Sequence, residues 1–469
     1  MRHLTYRATL SLFLVVLSAS GQTLPAPYIE YCAFERGNRS IPIADYQPSS
    51  SHSNADVVIT VTTARLFQTI EGFGGAFSEI GGEALSHLDT DMQQNVLSAL
   101  FDYRSGAGFT FCRTPIGASD FALSAYSLND TTNDYSMESF TIDRDRRYLI
   151  PYLMAALLIN PALRLHACPW SPPGWLKTNG RMTGGGHLRD SSATYKSYAT
   201  YLRRFVEAYN SAGIVIDRLF VQNEPNIEMK YPSCEMTPAQ MVPFVVKYLA
   251  PEFRQAGLST EIWAGSFQEK KDIFAHQCLL DPQFRSAVVG AGFQYSDVRM
   301  VQDVRLLYPL TRVMHTESQC FDGANTIEQA EALFQDISEY LGVGCSVFTY
   351  WNMILNEQQS SSWAWSQNSL LTLDRNSRSV IYNPDFAVMA LVSRWVRPGA
   401  KRCEAFSSSQ HRPLAFQNPD GSLVALLWSE VRSTTYQLKI DNAQTVVDLP
   451  ANTLCAVILK SDRRSETAN

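Results

Sequence analysis

The hydrophobic pattern divides the chain into a long central part and two flanking parts. From residue 71 to about residue 397, short apolar runs alternate with stretches of helical periodicity, which is the pattern of β/α units around a parallel sheet. Eight of these runs have strand character: 72–77, 109–115, 163–169, 218–222, 261–266, 292–295, 312–316 and 346–351. Eight consecutive units predict an α/β fold of the (β/α)8 TIM barrel type.

Both flanking parts have the pattern of β structure. Residues 57–61 form a β-branched run, and an Asn-Pro-Asp-Gly turn at 418–421 precedes four further strand-like runs. Because the N-terminal part is too short to enclose a core of its own, we expect it to join the C-terminal part in an accessory β-sandwich. The predicted boundaries are 21–69 for the N-terminal strands, 70–397 for the barrel, 398–462 for the C-terminal strands and 463–469 for a polar tail.

The first twenty residues have a different pattern and are not expected to belong to the fold. Two arginines precede an apolar run at 10–17, and the small residues Ser-Ala-Ser follow it at 18–20. These are the features of a secretory signal peptide, and the apolar run is too short to span a bilayer. We therefore expect a secreted or lysosomal protein without a transmembrane segment. The glycosylation sequons at Asn38 and Asn129 agree with that route.

Composition narrows the class of protein further. Of the 469 residues, 45% are hydrophobic and 18% are charged, which excludes a disordered or coiled-coil chain. The net charge is −6 and there is no long basic run, so no nucleic-acid partner is expected. The chain has 9 cysteines without a CxxC pair. At least one thiol is therefore free or pairs with another chain, and no zinc site is predicted.

Two glutamates stand out because each ends an apolar strand. Glu224 follows the run 219–221 and precedes Pro225, whereas Glu317 ends the run 313–316. The two are 93 positions apart, which is three barrel units of about 31 residues and places them on strands 4 and 7, at facing walls of the barrel mouth. Opposed carboxyl groups suit glycoside hydrolysis, in which one is the acid and the other remains ionised. The pattern alone leaves a structural interpretation equally open, in which each glutamate caps a strand or pairs with an arginine.

Several longer motifs resemble glycoside hydrolase family 30, which includes the glucosylceramidases. The resemblance extends over most of the chain and is carried by these motifs: Gly-Phe-Gly-Gly-Ala-Phe at 72–77, Arg-Thr-Pro at 113–115, Ser-Asp-Phe at 119–121, Pro-Trp-Ser-Pro-Pro-Gly-Trp-Leu-Lys-Thr-Asn-Gly at 169–180, Asn-Glu-Pro at 223–225, Thr-Glu at 316–317 and Tyr-Trp-Asn at 350–352. The run at 169–180 is the longest and most specific of them.

The resemblance implies a role for each matched position. Glu224 resembles the general acid/base of a retaining double displacement, and Glu317 resembles its nucleophile. Further matched positions are the sugar-binding residues Asp120, Trp170, Asn223, Trp351 and Asn368, the hydrogen-bond donor Tyr295, and Arg113 as the supporting cation beside the nucleophile. Since both reacting groups are carboxyls, no metal or other cofactor is expected.

The sequence leaves open which aglycone the substrate has. The run Gly-Phe-Gln-Tyr at 292–295, the polar segment 315–320 and the Gln- and Ser-rich loop 357–368 depart from glucosylceramidase. The resemblance implies hydrolysis of glucosylceramide or related β-glucosides, with membrane-surface contact if the substrate is a lipid. The alternatives are a β-1,6-glycanase or β-D-fucosidase on the same machinery, and a carbohydrate-binding protein on an inactive hydrolase scaffold. The oligomeric state is left open.

Overall fold

A computed structural model describes residues 22–23, 28–33, 43–45, 55–270, 273–409 and 413–459. The predicted signal peptide, the sequon at Asn38 and the polar tail lie outside the described residues. Among the described helices, none combines the length and the apolar character that crossing a membrane requires.

The central part is a parallel barrel, as the sequence pattern predicts. Its strands are β1 (Gly72–Ala76), β2 (Phe111–Ile116), β3 (Arg164–Pro169), β4 (Arg218–Phe220), β5 (Glu261–Phe267), β6 (Gly290–Gln294), β7 (Arg312–Glu317) and β8 (Val347–Asn352). They hydrogen-bond in the order β7-β6-β5-β4-β3-β2-β1-β8. The ring closes between β7 and β8, where the N–H of Ser346 donates to the carbonyl of Val313 at 3.2 Å.

Helices connect the strands and cover the outside of the barrel. The α-helices are Glu79–Ser86, Thr90–Phe101, Leu149–Ile159, Ser192–Ser211, Pro238–Phe244, Ala250–Gln255, Phe274–Leu279, Pro282–Ala287, Val298–Leu307, Ile327–Val343 and Pro384–Trp395, with a π-helical segment Val245–Leu249 and short 3-10 turns at Asp145–Arg147 and Gly174–Leu176. The helix Ile327–Val343 begins with a capping box, in which Thr326 and Gln329 exchange side-chain and backbone hydrogen bonds. It ends at Gly344, whose φ of 112° is readily available only to glycine.

The accessory sheet contains strands from both ends of the chain. Its ten strands follow the order Gln22–Thr23, Ala443–Leu449, Thr434–Ile440, Val57–Thr69, Lys401–Ser407, Leu414–Gln417, Leu423–Ser429, Thr453–Leu459, Tyr28–Ala33 and Ile43–Asp45. A third, small sheet, formed by Ile354–Asn356, Leu371–Asp374 and Ser379–Tyr382, lies in the loop after β8. The predicted fold class, a barrel with an accessory β domain from both termini, is confirmed.

The accessory sheet packs on the barrel through alternate residues of its strands, because successive strand residues point to opposite faces. In the strand Thr453–Leu459, Leu454 and Ile458 belong to the barrel core, whereas Val457 and Leu459 belong to a second core on the other face of the sheet. The two domains therefore share a hydrophobic contact.

Two sequence-based expectations about surface chemistry can be compared with this fold. The cysteines at 112, 168, 234, 278, 320, 345, 403 and 455 are free and buried, so the described residues contain no disulfide. In the sequence the sequon at Asn129 agrees with secretion, but this residue is only 2% exposed. Its Nδ2 donates to Asp134 Oδ2 at 2.9 Å. That nitrogen would have to leave the fold to carry a glycan, so this sequon gives no support for a glycoprotein.

Candidate active site

The two predicted glutamates lie in one cavity at the carboxyl ends of the barrel strands. The cavity has a volume of about 530 Å³, and its lining includes both Glu224 and Glu317. Glu317 is the last residue of β7. Glu224 lies four residues beyond β4, which ends earlier than predicted, and its φ of 45° is unusual for a residue with a Cβ. Its N–H donates to the carbonyl of Ser266 at 2.8 Å, which fixes this turn against β5. We call this space the mouth cavity.

Three side chains hold the carboxylate of Glu317. Tyr295 donates its hydroxyl to Oε1 at 2.7 Å, and Gln294 donates Nε2 to Oε2 at 3.1 Å. Arg113 forms a close ion pair with Oε2. Because all three partners donate hydrogen bonds to its oxygens, they fix the orientation of the Glu317 carboxylate.

Arg113 connects the predicted nucleophile to the sugar-binding positions. Its side chain is buried, and Nη2 donates to Asn223 Oδ1 at 2.7 Å. Its guanidinium lies 4.5 Å from the ring centroid of Trp170 and 5.5 Å from that of Trp351, within the range of cation–π attraction. One cation thus fixes the predicted nucleophile, an amide and two aromatic rings.

The electrostatic environment of Glu224 is the opposite of that of Glu317, which is paired with Arg113. Burial, followed by the charge of Glu317, raises the pKa of its carboxyl above the ordinary value. The same two causes, joined by the charge of Glu224, raise the pKa of Asp120. The mouth cavity therefore combines a carboxylate paired with Arg113 and carboxyl groups that retain their protons, which is the division needed for a nucleophile and a proton donor.

Asp120, Trp170 and Trp351 lie together beside this pair. Asp120 and Trp170 line the mouth cavity, and Trp351 stacks behind Trp170 with the ring centroids 5.0 Å apart. Within the described residues, Oδ1 of Asp120 and Nε1 of Trp351 are buried without a hydrogen-bond partner. Buried polar atoms are costly when they are unpaired, so these two are available for a ligand.

The structure does not bring Asn368 to the cavity, although the resemblance implied a sugar-binding role there. Its Oδ1 accepts hydrogen bonds from the N–H groups of Gly323 and Asn325. Its Nδ2 donates to Gln329 at 3.0 Å. Both ends of the amide are thus used in fixing the loop after β7, and it is the neighbouring Gln367 that lines the cavity.

Sequence reasoning missed Gln294, which links the predicted nucleophile to Asn223. Its Nε2 donates to Asn223 Oδ1 as well as to Glu317, both at 3.1 Å. Its Oε1 accepts from the hydroxyls of Ser266 and Thr316, which fixes the amide orientation. The available signal was its place at the end of β6, on the same edge as the two glutamates. Further cavity residues that were not predicted include Tyr231, Ser296, Gln319, Asp336, Tyr340 and Gln367.

The described part of the chain contains no group of three or more His, Cys, Asp or Glu side chains arranged to hold a metal ion. The side chains around Glu224 and Glu317 contribute carboxyls, amides, a phenol, a guanidinium and indoles.

Comparisons with known proteins agree with this geometry. The family model described as "Glycosyl hydrolase family 30 TIM-barrel domain" matches residues 70–396. The chain is 25% identical over 437 residues to "Lysosomal acid glucosylceramidase" of Mus musculus, covering 86% of this chain and 84% of that protein. It is 29% identical over 287 residues to "Endo-1,6-beta-D-glucanase neg1" of Aspergillus fumigatus, covering 56% of each. The solved structure of SrfJ from Salmonella typhimurium matches with a TM-score of 0.84 and 25% identity, covering 93% of this chain and 100% of that one.

These matches confirm the resemblance and the barrel fold, and they give the class of enzyme as an O-glycosyl hydrolase that acts on a glycan or glycolipid. They include relatives named for two different substrates, so they leave the aglycone open. The family match covers the whole ring of strands from β1 to β8, including the segments that carry Glu224 and Glu317. The chain therefore belongs to glycosyl hydrolase family 30.

Proposed function

We propose that this protein is a retaining β-glucosidase that uses Glu317 as nucleophile and Glu224 as general acid/base. The observation that carries the proposal is the electrostatic difference between the two carboxyls. Glu317 is paired with Arg113 and accepts two further hydrogen bonds. Burial and the charge of Glu317 raise the pKa of Glu224, which keeps its proton available.

In the first step, a carboxylate oxygen of Glu317 attacks the anomeric carbon while the bond to the aglycone oxygen breaks. Glu224 gives its proton to that oxygen, and a covalent glucosyl-enzyme ester results. Ester formation removes the charge of Glu317, and with it one of the causes that raise the pKa of Glu224. Glu224 can then accept a proton from water, which attacks the anomeric carbon and releases the sugar with its original β configuration.

Sugar recognition is assigned to Asp120, Trp170, Asn223 and Trp351. The unpaired Oδ1 of Asp120 and Nε1 of Trp351 provide one acceptor and one donor for sugar hydroxyls. Trp170 provides an aromatic face at the cavity wall. Asn223 is held by hydrogen bonds from Arg113 and Gln294. Its proposed role is to bind the sugar hydroxyl on the carbon next to the anomeric carbon.

Glucosylceramide or a related β-glucoside is the first substrate to test, because the similarity to the Mus musculus glucosylceramidase extends over 86% of this chain. A β-1,6-glucan is the second, because of the similarity to the Aspergillus fumigatus endo-1,6-β-glucanase. Following the sequence pattern, we place the enzyme in the secretory pathway, either outside the cell or in the lysosome.

The decisive experiment follows the purified chain on both substrates and on a 2-deoxy-2-fluoro-β-glucosyl fluoride. Proton NMR should show the β anomer forming first, and mass spectrometry should find the fluorosugar attached to Glu317. Glu317→Gln should abolish both signals. Glu138→Gln, at an exposed carboxylate outside the cavity, is the matched control. Release of the α anomer, or a label on another residue, would contradict the proposal.

A further inference from the structure

Three acceptor groups surround the side-chain amide of Gln294, which is fully buried at the end of β6. Its Nε2 donates to Oε2 of Glu317 and to Oδ1 of Asn223, both at 3.1 Å. The carboxyl of Glu224 is also within hydrogen-bonding reach of this amide. Since an amide nitrogen carries two hydrogens, Gln294 cannot donate fully to all three acceptors at once.

The other end of the amide is also held, which gives the side chain one orientation. The hydroxyls of Ser266 and Thr316, one from each strand beside β6, both donate to Oε1. With the amide reversed, its oxygen would face the carboxylate of Glu317 and the side-chain oxygen of Asn223, neither of which can donate. The two hydroxyls therefore direct the N–H groups of the amide towards the predicted catalytic residues.

The two glutamates differ in how much they depend on this amide. Without it, Glu317 would keep two other donors, Tyr295 and Arg113. At Glu224, the hydrogen bond from the amide lowers the pKa more than the charge of Arg113 does, although burial and the charge of Glu317 outweigh both. Loss of the amide should therefore affect Glu224 most, at the stage of the reaction when that group is ionised.

The negative charge of the site changes place during the proposed reaction. Before bond formation, the attacking carboxylate of Glu317 carries the charge and Glu224 holds a proton. After the proton has passed to the aglycone oxygen and the ester has formed, Glu317 is neutral and Glu224 is the carboxylate. A hydrogen bond to a carboxylate is stronger than one to an ester oxygen, so the preferred acceptor of the shared N–H changes with the charge.

We propose that Gln294 is a positioning residue for both steps of the reaction: its amide donates to Glu317 while that group attacks, and to Glu224 while that group removes a proton from water. The proposal rests on the proposed function, because it takes the reaction to pass through an ester of Glu317. Ser266 and Thr316 contribute to this role, since they keep the donor end of the amide on the side of both carboxyls.

The test uses 2-deoxy-2-fluoro-β-glucosyl fluoride, which allows the two steps to be timed separately. Fluoride leaves without a proton from Glu224, so the rate of labelling reports on Glu317, whereas release of the trapped sugar to water reports on Glu224 as a base. We expect Gln294→Met, which keeps an unbranched side chain of the same length, to slow labelling about 3- to 10-fold and release about 10- to 100-fold. Gln68→Met is the matched control, because Gln68 donates to two backbone carbonyls at the amino end of the barrel, and it should leave both rates within about twofold of the parent.

The pH profile of release separates this role from a merely structural one. Release requires ionised Glu224, so its rate rises with pH as that carboxyl loses its proton. Without the hydrogen bond that lowers the pKa of Glu224, the rise should move to higher pH in Gln294→Met. Thr316→Val should move it in the same direction by less, and Thr316→Ser, which restores the hydroxyl, should move it back. The other charged and titratable groups that face Glu224 are unchanged in these variants: Glu317, Arg113, Asp120, Tyr231, Tyr295 and Lys270.

The outcomes distinguish this inference from the mechanism on which it rests. Slower labelling with normal release, or slower release with an unmoved pH profile, would limit Gln294 to one step or to the fold and overturn the inference. Unchanged rates in folded Gln294→Met would overturn it while leaving the mechanism intact. A label on another residue of the parent protein would reject the mechanism itself, and the inference with it. If Gln294→Met does not fold, the release profiles of Thr316→Val and Ser266→Ala, which both keep the amide, decide in the same way.

Discussion

The two ends of the barrel both carry buried charge at strand ends, but they balance it differently. At the amino ends, Glu71 precedes β1, whereas Arg164, Arg218, Glu261 and Arg312 are the first residues of β3, β4, β5 and β7. Arg218 and Arg312 each contact both glutamates, and Arg164 contacts Glu71 at 3.1 Å. Each charge at this end therefore has a partner of opposite sign.

At the carboxyl ends, the site has more carboxyls than buried arginines. Asp120, Glu224 and Glu317 line the mouth cavity, and Arg113 pairs with Glu317 alone. Burial, followed by the charge of Glu317, leaves Glu224 and Asp120 with raised pKa values.

Two glutamates at opposite ends of one barrel show how the surroundings of a carboxyl decide the direction of its pKa shift. Burial acts to raise the pKa of both, but the charges of Arg218 and Arg312 and their hydrogen bonds lower the pKa of Glu71 to about 2. At Glu224 the hydrogen bond from Gln294 and the charge of Arg113 also act to lower the pKa, but burial and the charge of Glu317 outweigh them, so its pKa is raised. The amino end is thus arranged for stability and the carboxyl end for reactivity, the division known for barrels in general.

Removing the buried arginine that pairs with Glu317 should have the largest effect. Arg113→Met leaves the charge of Glu317 buried and unpaired, so we expect a loss of about 3–5 kcal/mol in the free energy of unfolding. We also expect kcat/KM to fall at least about 10³-fold. Urea unfolding and hydrolysis of an aryl β-glucoside measure the two effects. Near-normal activity would show that Arg113 is not needed for the nucleophilic role of Glu317.

The matched change at the amino end should affect stability alone. Arg218→Met removes an equally buried arginine, but Arg312 and Arg164 still neutralise Glu71 and Glu261. We expect a loss of about 2–3 kcal/mol in the free energy of unfolding, with kcat/KM within about twofold of the parent enzyme. A loss of activity as large as that of Arg113→Met would contradict the division between the two ends.

A smaller change at the carboxyl end removes one hydrogen bond to the predicted nucleophile. Tyr295→Phe takes away the hydroxyl that donates to Glu317 Oε1 at 2.7 Å. A hydrogen bond to a charged group is worth about 1.5–3 kcal/mol, so kcat/KM should fall about 10- to 100-fold. The ring is retained, and the unfolding free energy should change by less than about 1 kcal/mol. A larger loss of stability than of activity would assign Tyr295 a structural role.

The smallest effects are expected in the pH dependence of stability, where the two ends should differ in sign. The fold favours ionised Glu71, so its contribution is full above about pH 4.5 and is lost as the pH falls towards 2. The fold favours protonated Glu224, so its contribution decreases as the pH rises above the ordinary value of 4.5. Glu224→Gln should therefore stabilise the protein at pH 7 by on the order of 1 kcal/mol, and Glu71→Gln should destabilise it.

Urea unfolding of both variants at pH 3.5, 5 and 7 checks this opposition. The difference between Glu71→Gln and the parent protein should shrink towards low pH, whereas the difference for Glu224→Gln should grow towards high pH. If both variants changed the free energy of unfolding in the same direction at pH 7, the charges at the two ends would be balanced in the same way.

The barrel could be predicted from the sequence because its signals are local. All eight strands were predicted in the central pattern, and their ends place Glu224 and Glu317 on one edge. The predicted β4 extended two residues beyond the observed strand. The turn to Glu224 is fixed by a hydrogen bond to the Ser266 carbonyl on β5, and such a contact between different strands is not visible in the local pattern.

The residues that the sequence did not reveal depend on tertiary contacts. Gln294 is an ordinary amide in the sequence, and only the approach of β4, β6 and β7 makes it a partner of Asn223 and Glu317. Asn368 matched a family position across a loop, but the path of that loop directs its amide to backbone groups. Asp336 appeared as one polar position of a helix, and only the packing of that helix brings it to the cavity wall.

The interleaved accessory sheet has a consequence for synthesis of the protein. Asp56 and Thr435 exchange backbone and side-chain hydrogen bonds across 379 residues. Within the described part of the chain, the strand Val57–Thr69 pairs with two strands, both made after the barrel. At a translation rate of about 5–20 residues per second, this strand waits roughly 20 to 75 s for its partners. During that time its β-branched edges are open to other chains. Nascent chains released before residue 400 should therefore aggregate, although they already contain every strand of the barrel.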